Sequence, residues 1–431
     1  RTMNRRHFLM SSVAATASQA VWSQSPSDTV RVAVIGCGGR GNSHMGAWTT
    51  IPNVSLAALV DVDDSHSERF VGAMQRKELK PAPTFRDIRK ILDDKNIDAV
   101  SIATPNHWHT LQTIWACQAG KDVYVEKPCS HNVFESRQIV AAARKYNRIV
   151  QQGSQSRSSP ALQEAVQKMK AGEFGEVYMA RGLCFKFRNT IGKTPVSPVP
   201  PGVDYDMWTG PAPLRPFTKN RFHYNWHWFW DTGNGDIGNQ GIHEMDIARW
   251  GMGLGLPKGG VSTGGKFVYT DDQETPNTQL ALLEYDGAEI QFEVRGLPTG
   301  GESDIAPSGP NFVGDLFYGE KGYMSVDHTA FHIYLGPKRE PGESMKSTEK
   351  VDATVPHFAN FIDAIKSRRH EDLHGDVAIV VESVALVHIA NTSYRLGRKL
   401  AFDPATESYL GDEEANRMKT RNPYRAPYIV S

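Results

Sequence analysis

The chain has 431 residues, enough for two or three domains of ordinary size, each with its own core. Lysine plus arginine and aspartate plus glutamate each number 48, so the formal net charge is zero and no nucleic-acid partner is expected. Hydrophobic residues make up 39% of the chain, and with the 38 glycines the apolar share is about 48%, which is typical of a globular protein. The four scattered cysteines contain no C-x-x-C pair, which excludes a disulfide framework and a cysteine-based zinc site.

Residues 1–28 have the pattern of an export signal. Arg5-Arg6-His7-Phe8-Leu9 precedes an apolar and small-residue run that contains the cleavage-like triplet Ala15-Thr16-Ala17. This run is shorter than the roughly 20 residues that a spanning helix needs, so no membrane span is expected. The pattern predicts a twin-arginine signal peptide and a periplasmic protein.

The next segment predicts a nucleotide-binding turn. A β-branched strand over Val30–Ile35 runs directly into a G-x-G-x-x-G sequence, after which a helix begins near Asn42. Such a turn lets the backbone and a helix N-terminus approach a pyrophosphate. A second strand, 54–60, ends at Asp61, whose carboxylate suits two ribose hydroxyls and repels a 2′-phosphate, so NAD is favoured over NADP. The predicted turn residues are Gly36, Cys37, Gly38, Gly39, Arg40 and Gly41.

Strands and helices then alternate as far as residue 153. We predict helices over 85–92, 109–119 and 133–146, and strands over 97–103, 123–125 and 149–151. The alternation predicts a doubly wound parallel Rossmann sheet over 29–153. Ligands bind beyond the carboxyl ends of such strands, which adds further candidates for cofactor contacts. These candidates are Thr104, Pro105, Asn106, His109, Glu126 and Lys127.

The pattern changes in the second predicted domain, residues 154–431. Strands over 177–187, 280–285, 289–295 and 323–326 follow one another, and helices return at 357–367 and 376–396. We predict an α+β domain with a large, mostly antiparallel open sheet, and a C-terminal helix that packs back toward the first domain.

The block 188–240 is rich in proline, glycine and aromatic residues. Trp226, Trp228 and Trp230 alternate, which predicts one face of an extended segment. That face suits the C–H surface of a sugar ring, although core packing or a subunit interface explains it equally well. Further candidates for sugar contacts, in and near the block, are Arg157, Arg188, Tyr205 and His223.

A glycine-rich stretch after this block leads into Asn239 and His243. These residues are four apart, so on one helix their side chains point the same way, and a histidine suits proton transfer near neutral pH. Asp246 is placed either to orient His243 or to pair with Arg249. His223 and His227 have no third ligand at useful spacing, so no metal site is expected.

These segments together resemble the glucose-fructose oxidoreductase, inositol dehydrogenase and MocA (Gfo/Idh/MocA) family. The resemblance rests on the glycine turn, on Ala103-Thr104-Pro105-Asn106, on Glu126-Lys127-Pro128, on Gly241-x-His243-x-x-Asp246 and on Tyr394-Arg395-Leu396-Gly397-Arg398. It implies an NAD- or NADP-dependent enzyme of sugars and cyclitols, with Lys127 and His243 as catalytic residues. It also implies a homo-oligomer, a dimer or tetramer, formed through the open sheet.

One position departs from the family pattern. Many sugar and inositol dehydrogenases have aspartate four residues before the histidine, where this chain has Asn239, and an amide cannot relay a proton as a carboxylate can. More of the acid–base chemistry would then fall to Lys127 and His243. Asn239 itself is predicted to contact the substrate.

We therefore predict an NAD-dependent oxidoreductase acting on a ring hydroxyl of a sugar or glycoside. Export separates the enzyme from the cytoplasmic NAD pool, which favours tightly bound NAD that is recycled within each turnover. One alternative is an NAD-dependent glycoside hydrolase that works by oxidation, elimination, hydration and reduction. The second is a protein that binds a nucleotide or sugar without catalysis.

Overall fold

The computed structural model describes residues 28–303, 305, 309, 311–346 and 353–431. Within them the strands form two sheets, one of six parallel strands and one of ten mostly antiparallel strands. The predicted α/β fold class, with a Rossmann sheet first and a large open sheet second, is confirmed. The domain boundary after residue 153 stays a prediction, and the predicted signal lies outside the described residues except for Asp28.

The first sheet has the strand order β3-β2-β1-β4-β5-β6, with helices on its faces. Burial on both faces explains why its central strands consist almost entirely of small and β-branched residues. The strands are β1 (Val30–Ile35), β2 (Val54–Val60), β3 (Thr84–Phe85), β4 (Ala99–Ile102), β5 (Asp122–Val125) and β6 (Val150–Gln152). The helices are α1 (Gly39–Trp48), α2 (Asp64–Arg76), α3 (Asn106–Gln118) and α4 (Val133–Lys145).

The helix predicted over 85–92 is wrong. The segment begins with Phe85, the last residue of the short strand β3, and contains one 3-10 turn, Ile88–Lys90. The Asp87 side chain accepts a hydrogen bond from the backbone N–H of Arg89 at 2.9 Å, which closes a single tight turn instead of starting a longer helix. Helix α2, which the sequence analysis did not predict, begins after Asp63, whose side chain caps it at Ser65.

The second sheet has the order β14-β13-β12-β11-β7-β10-β9-β8-β15-β16. Strands β7 and β10 are parallel neighbours and the other paired strands are antiparallel. In β10 the buried residues Ile290, Phe292 and Val294 alternate with partly exposed ones, so one face packs against helices and the other stays open. The strands are β7 (Val177–Lys186), β8 (Gly259–Gly265), β9 (Thr278–Glu284), β10 (Glu289–Arg295), β11 (Asn311–Gly319), β12 (Gly322–Val326), β13 (Ala330–Leu335), β14 (Glu340–Lys346), β15 (Leu400–Asp403) and β16 (Ser408–Tyr409).

Helices of the second half connect the two sheets. They are α5 (Pro160–Lys170), α6 (Tyr205–Thr209), α7 (Gly235–Asn239), α8 (Gly241–Met252), α9 (Thr354–Ser367), α10 (Val377–Leu396) and α11 (Glu413–Arg417). Helix α8 packs on β7, and α10 contacts both α8 and α4. Phe358 of α9 stacks on Trp48 of α1 with ring centroids 4.1 Å apart, which covers one face of the first sheet.

Helix α10 is also the one helix among the described residues that is long and apolar enough to cross a membrane. However, 78% of its most apolar stretch of 18 residues is buried inside the protein. Its apolar composition is therefore accounted for by packing within the core.

The predicted extended segment with three aligned tryptophans is wrong. Residues His223–Trp228 form a 3-10 helix, which has about three residues per turn, so alternate side chains do not share a face. Trp228 is buried, whereas Trp226 and Trp230 remain partly exposed. Core packing accounts for Trp228, and only Trp226 of the three lies in the wall of the cavity described next.

Candidate active site

A cavity of about 570 Å³ lies at the carboxyl ends of β1, β4 and β5, where the loop block 188–240 covers the first sheet. The glycine turn and Asp61 lie in its wall, and so do Lys127 and Asn239. This is the position that a doubly wound sheet offers a ligand.

The glycine turn fits a dinucleotide because two of its positions, Gly36 and Gly41, have no room for a side chain. Gly36 has φ +87°, and a Cβ on Gly41 would lie 1.7 Å from the carbonyl oxygen of Gly36. A Cβ on Gly39 meets nothing within 4 Å, so this residue faces open space. Helix α1 has Gly38 as its N-cap and no side-chain cap, which leaves its first N–H groups available to a phosphate.

Asp61 is positioned by the same turn. Its Oδ2 accepts from the backbone N–H of Cys37 at 2.7 Å, and its Oδ1 accepts from that of Asp63 at 2.9 Å. His66 Nδ1 also lies 3.2 Å from Oδ2, so of the about four acceptor positions of a carboxylate one remains for a ribose hydroxyl. The nearby Arg86 is paired with Asp64, which leaves the carboxylate of Asp61 as the dominant charge and favours NAD over NADP.

The segments after β4 and β5 are joined by His109. Its two ring nitrogens lie 2.7 Å from the carbonyl oxygen of Pro128 and 2.6 Å from that of Thr104. Asn106 donates to the side chain of Asn234 at 3.1 Å, which fastens the start of α3 to the loop before α7. These contacts hold the two walls of the cavity together.

Glu126 forms a buried ionic cluster under the turn. Its Oε1 accepts from Arg40 Nε at 2.7 Å and from His44 Nε2 at 2.9 Å. Burial raises the pKa of Glu126, but the Arg40 charge and the His44 hydrogen bond outweigh it and hold the pKa well below its usual value. Glu126 is therefore an anion that positions the turn and Lys127.

Lys127 places its ammonium in the cavity wall. Its Nζ donates to the backbone oxygen of Asn239 at 2.5 Å and lies 3.3 Å from Asn239 Oδ1. Burial lowers the pKa of Lys127 to about 8, against the opposing attraction of Glu126. The peptide bond between Lys127 and Pro128 is cis.

The ammonium of Lys127 lies close enough to His243 to influence the pKa of its ring. Burial and then the Lys127 charge lower the pKa of His243 well below its usual value, so the ring is neutral at neutral pH. His243 is 9% exposed and is not part of the cavity wall.

The single helix expected to carry Asn239 and His243 is divided in two. Helix α7 ends at Asn239 and α8 begins at Gly241. A Cβ on Gly241 would lie 2.3 Å from the Phe292 ring, so the glycine permits the close approach of α8 to the sheet.

Asp246 neither orients His243 nor pairs with Arg249, so both alternatives considered for it are wrong. Its carboxylate accepts from Arg157 Nε at 2.7 Å and Nη2 at 2.8 Å, and from Ser383 Oγ at 2.6 Å. Arg157 is 5% exposed and lies outside the cavity wall. The pair is thus a buried connection between α8 and the segment that follows the first sheet.

Arg188 lies behind the cavity wall and supports Tyr224. The guanidinium binds both oxygens of Asp236, at 3.0 and 2.7 Å, and its Nη1 donates to the Tyr224 hydroxyl at 3.0 Å. Asn239 Nδ2 also lies 3.3 Å from that hydroxyl. Two donors thus occupy the oxygen of Tyr224, which leaves its own O–H free to donate.

The remaining predicted residues divide between the cavity and the core. The side chain of Cys37 turns toward the carbonyl oxygen of Val60, and Tyr205 stacks on Trp208 in a separate aromatic cluster. The predicted residues in the cavity wall are Gly36, Gly38, Gly39, Arg40, Asp61, Thr104, Pro105, Asn106, His109, Glu126, Lys127, His223, Trp226 and Asn239.

Sequence reasoning missed several residues of the wall, among them His66, Trp108, Tyr224, His227 and Tyr428. Tyr224 precedes the predicted aromatic segment 225–230 and His227 lies within it, and the density of aromatic residues there was their only signal. Tyr428 comes from the far C-terminus, and no local pattern connects it with the cavity.

Comparison with protein families gives two matches to this chain. Residues 30–154 match an oxidoreductase family model for an NAD-binding Rossmann fold, and residues 175–255 and 319–430 match the C-terminal alpha/beta domain of the same family. The two matches together cover more than half of the chain.

Curated relatives agree with the family models. The scyllo-inositol 2-dehydrogenase (NAD(+)) of Bacillus subtilis is 25% identical over 391 residues, which cover 89% of this chain and 98% of that protein. The alpha-N-acetylgalactosaminidase of Shewanella oneidensis is 35% identical over 122 residues, only 27% of each protein.

Solved structures share the fold. The WlbA dehydrogenase of Bordetella pertussis, solved with NADH and UDP-GlcNAcA, has a TM-score of 0.64 at 21% identity, covering 87% of this chain and 99% of that one. A levoglucosan dehydrogenase, solved with NADH and levoglucosan, has a TM-score of 0.66 at 17% identity, covering 89% and 99%. Because both family models match in chain order and the glycine turn is built for a dinucleotide, this chain belongs to the Gfo/Idh/MocA family of NAD-binding oxidoreductases.

Proposed function

We propose that this protein oxidises a secondary ring hydroxyl of a sugar or glycoside and that, within the same catalytic cycle, the hydride removed is passed to the carbonyl group of a second sugar, which is reduced to a hydroxyl. The observation that carries the proposal is the cavity itself. It has a glycine turn and Asp61 for a dinucleotide, and the ammonium of Lys127 in the same wall, with His243 in electrostatic range. The dehydrogenase relatives act on compounds with ring hydroxyls, which supports this substrate class.

The chemistry requires hydride and proton to leave the same H–C–O–H group. NAD supplies the hydride acceptor when it is bound. Lys127 donates a hydrogen bond to the substrate oxygen, which stabilises the negative charge that develops as the hydroxyl becomes a carbonyl. His243 is neutral at neutral pH and is the proposed acceptor of the hydroxyl proton, although its ring lies outside the cavity wall in this structure.

Tyr224 is a second proton-bearing group in the same wall. Its oxygen accepts from Arg188 and Asn239, so its own O–H is available to donate to another acceptor. We propose that this O–H binds a substrate oxygen beside Lys127. Tyr224 would then supply part of the acid function that Asn239, as an amide, does not have.

The partial match to the alpha-N-acetylgalactosaminidase supports a second candidate, an NAD-dependent glycosidase. In such a reaction, oxidation of a ring carbon acidifies the adjacent C–H, the aglycone is eliminated, water adds, and the carbonyl is reduced again. The overall reaction is hydrolysis without net redox change. It needs the same Lys127 and a base for the adjacent C–H.

We also propose that the protein is exported by the twin-arginine route and works in the periplasm as a homo-oligomer. The Arg5-Arg6 pattern supports export, and the open face of the second sheet supports self-association. Fractionation of cells that produce the chain, and of an Arg5→Lys/Arg6→Lys variant, tests the location. Retention of the wild-type chain in the cytoplasm would contradict it.

The function is tested with protein carrying its own nucleotide and a panel of glycosides. We expect the absorbance of reduced nicotinamide to rise, briefly or lastingly, with a substrate and not with the Lys127→Met variant. Binding without any reduction across the panel would overturn the proposal in favour of a non-catalytic binding protein. Release of aglycone alongside transient reduction would assign the glycosidase.

A further inference from the structure

A cluster of three potential metal ligands lies at the edge of the cavity beside Asp61. Asp63, His66 and His223 each offer one ligand atom, and the three atoms lie within 4.8 Å of one another. His223 Nε2 is 2.9 Å from Asp63 Oδ2, and His66 Nε2 is 4.0 Å from the same oxygen. Two imidazoles and one carboxylate form a donor set that suits a divalent transition metal.

The other polar atoms of two of these side chains are already fixed. Asp63 Oδ1 accepts from the backbone N–H of Ser65 at 2.9 Å, which leaves Oδ2 for the cluster. His66 Nδ1 lies 3.2 Å from Asp61 Oδ2, so its Nε2 carries the free lone pair. A histidine held by a carboxylate through its second nitrogen is the usual outer support of a metal ligand.

We propose that Asp63, His66 and His223 bind a divalent transition-metal ion, Zn²⁺ in the first instance. Zinc bonds of about 2.0–2.1 Å in tetrahedral geometry place ligand atoms about 3.3 Å apart, between the two separations seen here. Small side-chain rotations are enough to complete the site. His66 and His223 both line the cavity, so the fourth position is open to water or to a ligand in the cavity.

The metal would fasten the loop block to the nucleotide-binding half. Asp63 is the N-cap of α2 and His66 lies in its first turn, whereas His223 begins the 3-10 helix His223–Trp228 in the loop block 188–240. The same two regions already meet where Asp63 pairs with Val203 and Asp64 N–H donates to the Gly202 carbonyl at 3.1 Å. A metal at His223 adds a second attachment over the Asp61 end of the cavity. It would slow nucleotide release, and this consequence alone depends on the proposed function.

The test measures metal binding directly, without substrate. Chelator-treated, tag-free protein is titrated with ZnCl₂ by calorimetry, and CoCl₂ serves as a spectroscopic probe for tetrahedral nitrogen and oxygen ligation. We expect one Zn²⁺ per chain, a higher melting temperature with Zn²⁺, and no comparable binding of Mg²⁺. His66→Gln and His223→Gln should each weaken Zn²⁺ binding at least tenfold.

His227→Gln is the matched control, since His227 lines the same cavity but lies outside the cluster. It should leave the zinc stoichiometry and affinity unchanged. Absence of a Zn²⁺ equivalent, or binding that survives His223→Gln, would overturn the proposal. The glycoside assay has a separate readout, so failure of either proposal leaves the other standing.

Discussion

Lys127→Met should lower the turnover of the protein and raise its stability at the same time. The pKa of Lys127 is lowered from 10.5 to about 8, mainly by burial. At 1.36 kcal/mol for each factor of ten in proton affinity, the ammonium form is disfavoured by about 3 kcal/mol in the folded protein. The destabilisation of the folded protein by this ammonium is smaller than that, because the side chain lies in the wall of an open cavity and not in the closed interior.

Methionine removes the charge and keeps an unbranched side chain. The change also removes the hydrogen bond to the backbone oxygen of Asn239, which costs about 1 kcal/mol. Glu126 keeps Arg40 and His44, so no buried anion is left unpaired. We therefore expect Lys127→Met to raise the free energy of unfolding by about 1 to 2 kcal/mol near pH 7. Turnover should fall by about 10²- to 10⁴-fold.

The stability gain should depend on pH with a defined sign. The folded-state pKa of Lys127 is lower than the unfolded-state value, so between about pH 8 and pH 10.5 the unfolded chain holds more protons. The free energy of unfolding of the wild type therefore rises through this interval relative to that of the variant. The difference in stability between the two proteins becomes smaller. Urea unfolding at about pH 7 and about pH 10, followed by tryptophan fluorescence, measures both values. A variant less stable than wild type near pH 7, or a gap independent of pH, would refute this reasoning.

Three further predictions concern the same cavity. Gly41→Ala should abolish NADH binding in a fluorescence titration because its Cβ would lie 1.7 Å from a backbone oxygen of the turn, whereas Gly39→Ala, whose Cβ meets nothing within 4 Å, should leave the fold of the turn intact. In the oxidation direction, kcat/KM should fall above pH about 8 as Lys127 loses its proton, and Asn239→Asp should move this decline to higher pH because a carboxylate near Nζ raises the pKa of Lys127. Tyr224→Phe should lower kcat by about tenfold or more while nucleotide affinity stays unchanged, and an unchanged kcat would remove Tyr224 from the mechanism.

Much of the first half of the chain could be predicted from local pattern. The strand over Val30–Ile35, the glycine turn and Asp61 depend on interactions between near neighbours in sequence, and the structure places them together. The prediction of a helix over 85–92 was wrong because it, too, was made from local pattern alone. The apolar spacing of this segment resembled a helix, but a local hydrogen bond at Asp87 closed a single turn instead.

The sequence by itself determined the two-sheet fold and the NAD-binding turn, because these depend on residue type and short-range spacing, and it placed Lys127 at the end of a strand that leads to the cavity. Only the tertiary structure decided which side chains face the cavity. Arg157 was predicted to contact a sugar, but in the structure it binds Asp246, a residue far away in the chain. Tyr224 became a candidate because Arg188 and Asn239 donate to its hydroxyl oxygen. Such pairings join residues far apart in the chain. Their energy depends on burial and on distance in space, and neither can be read from the periodicity of the sequence.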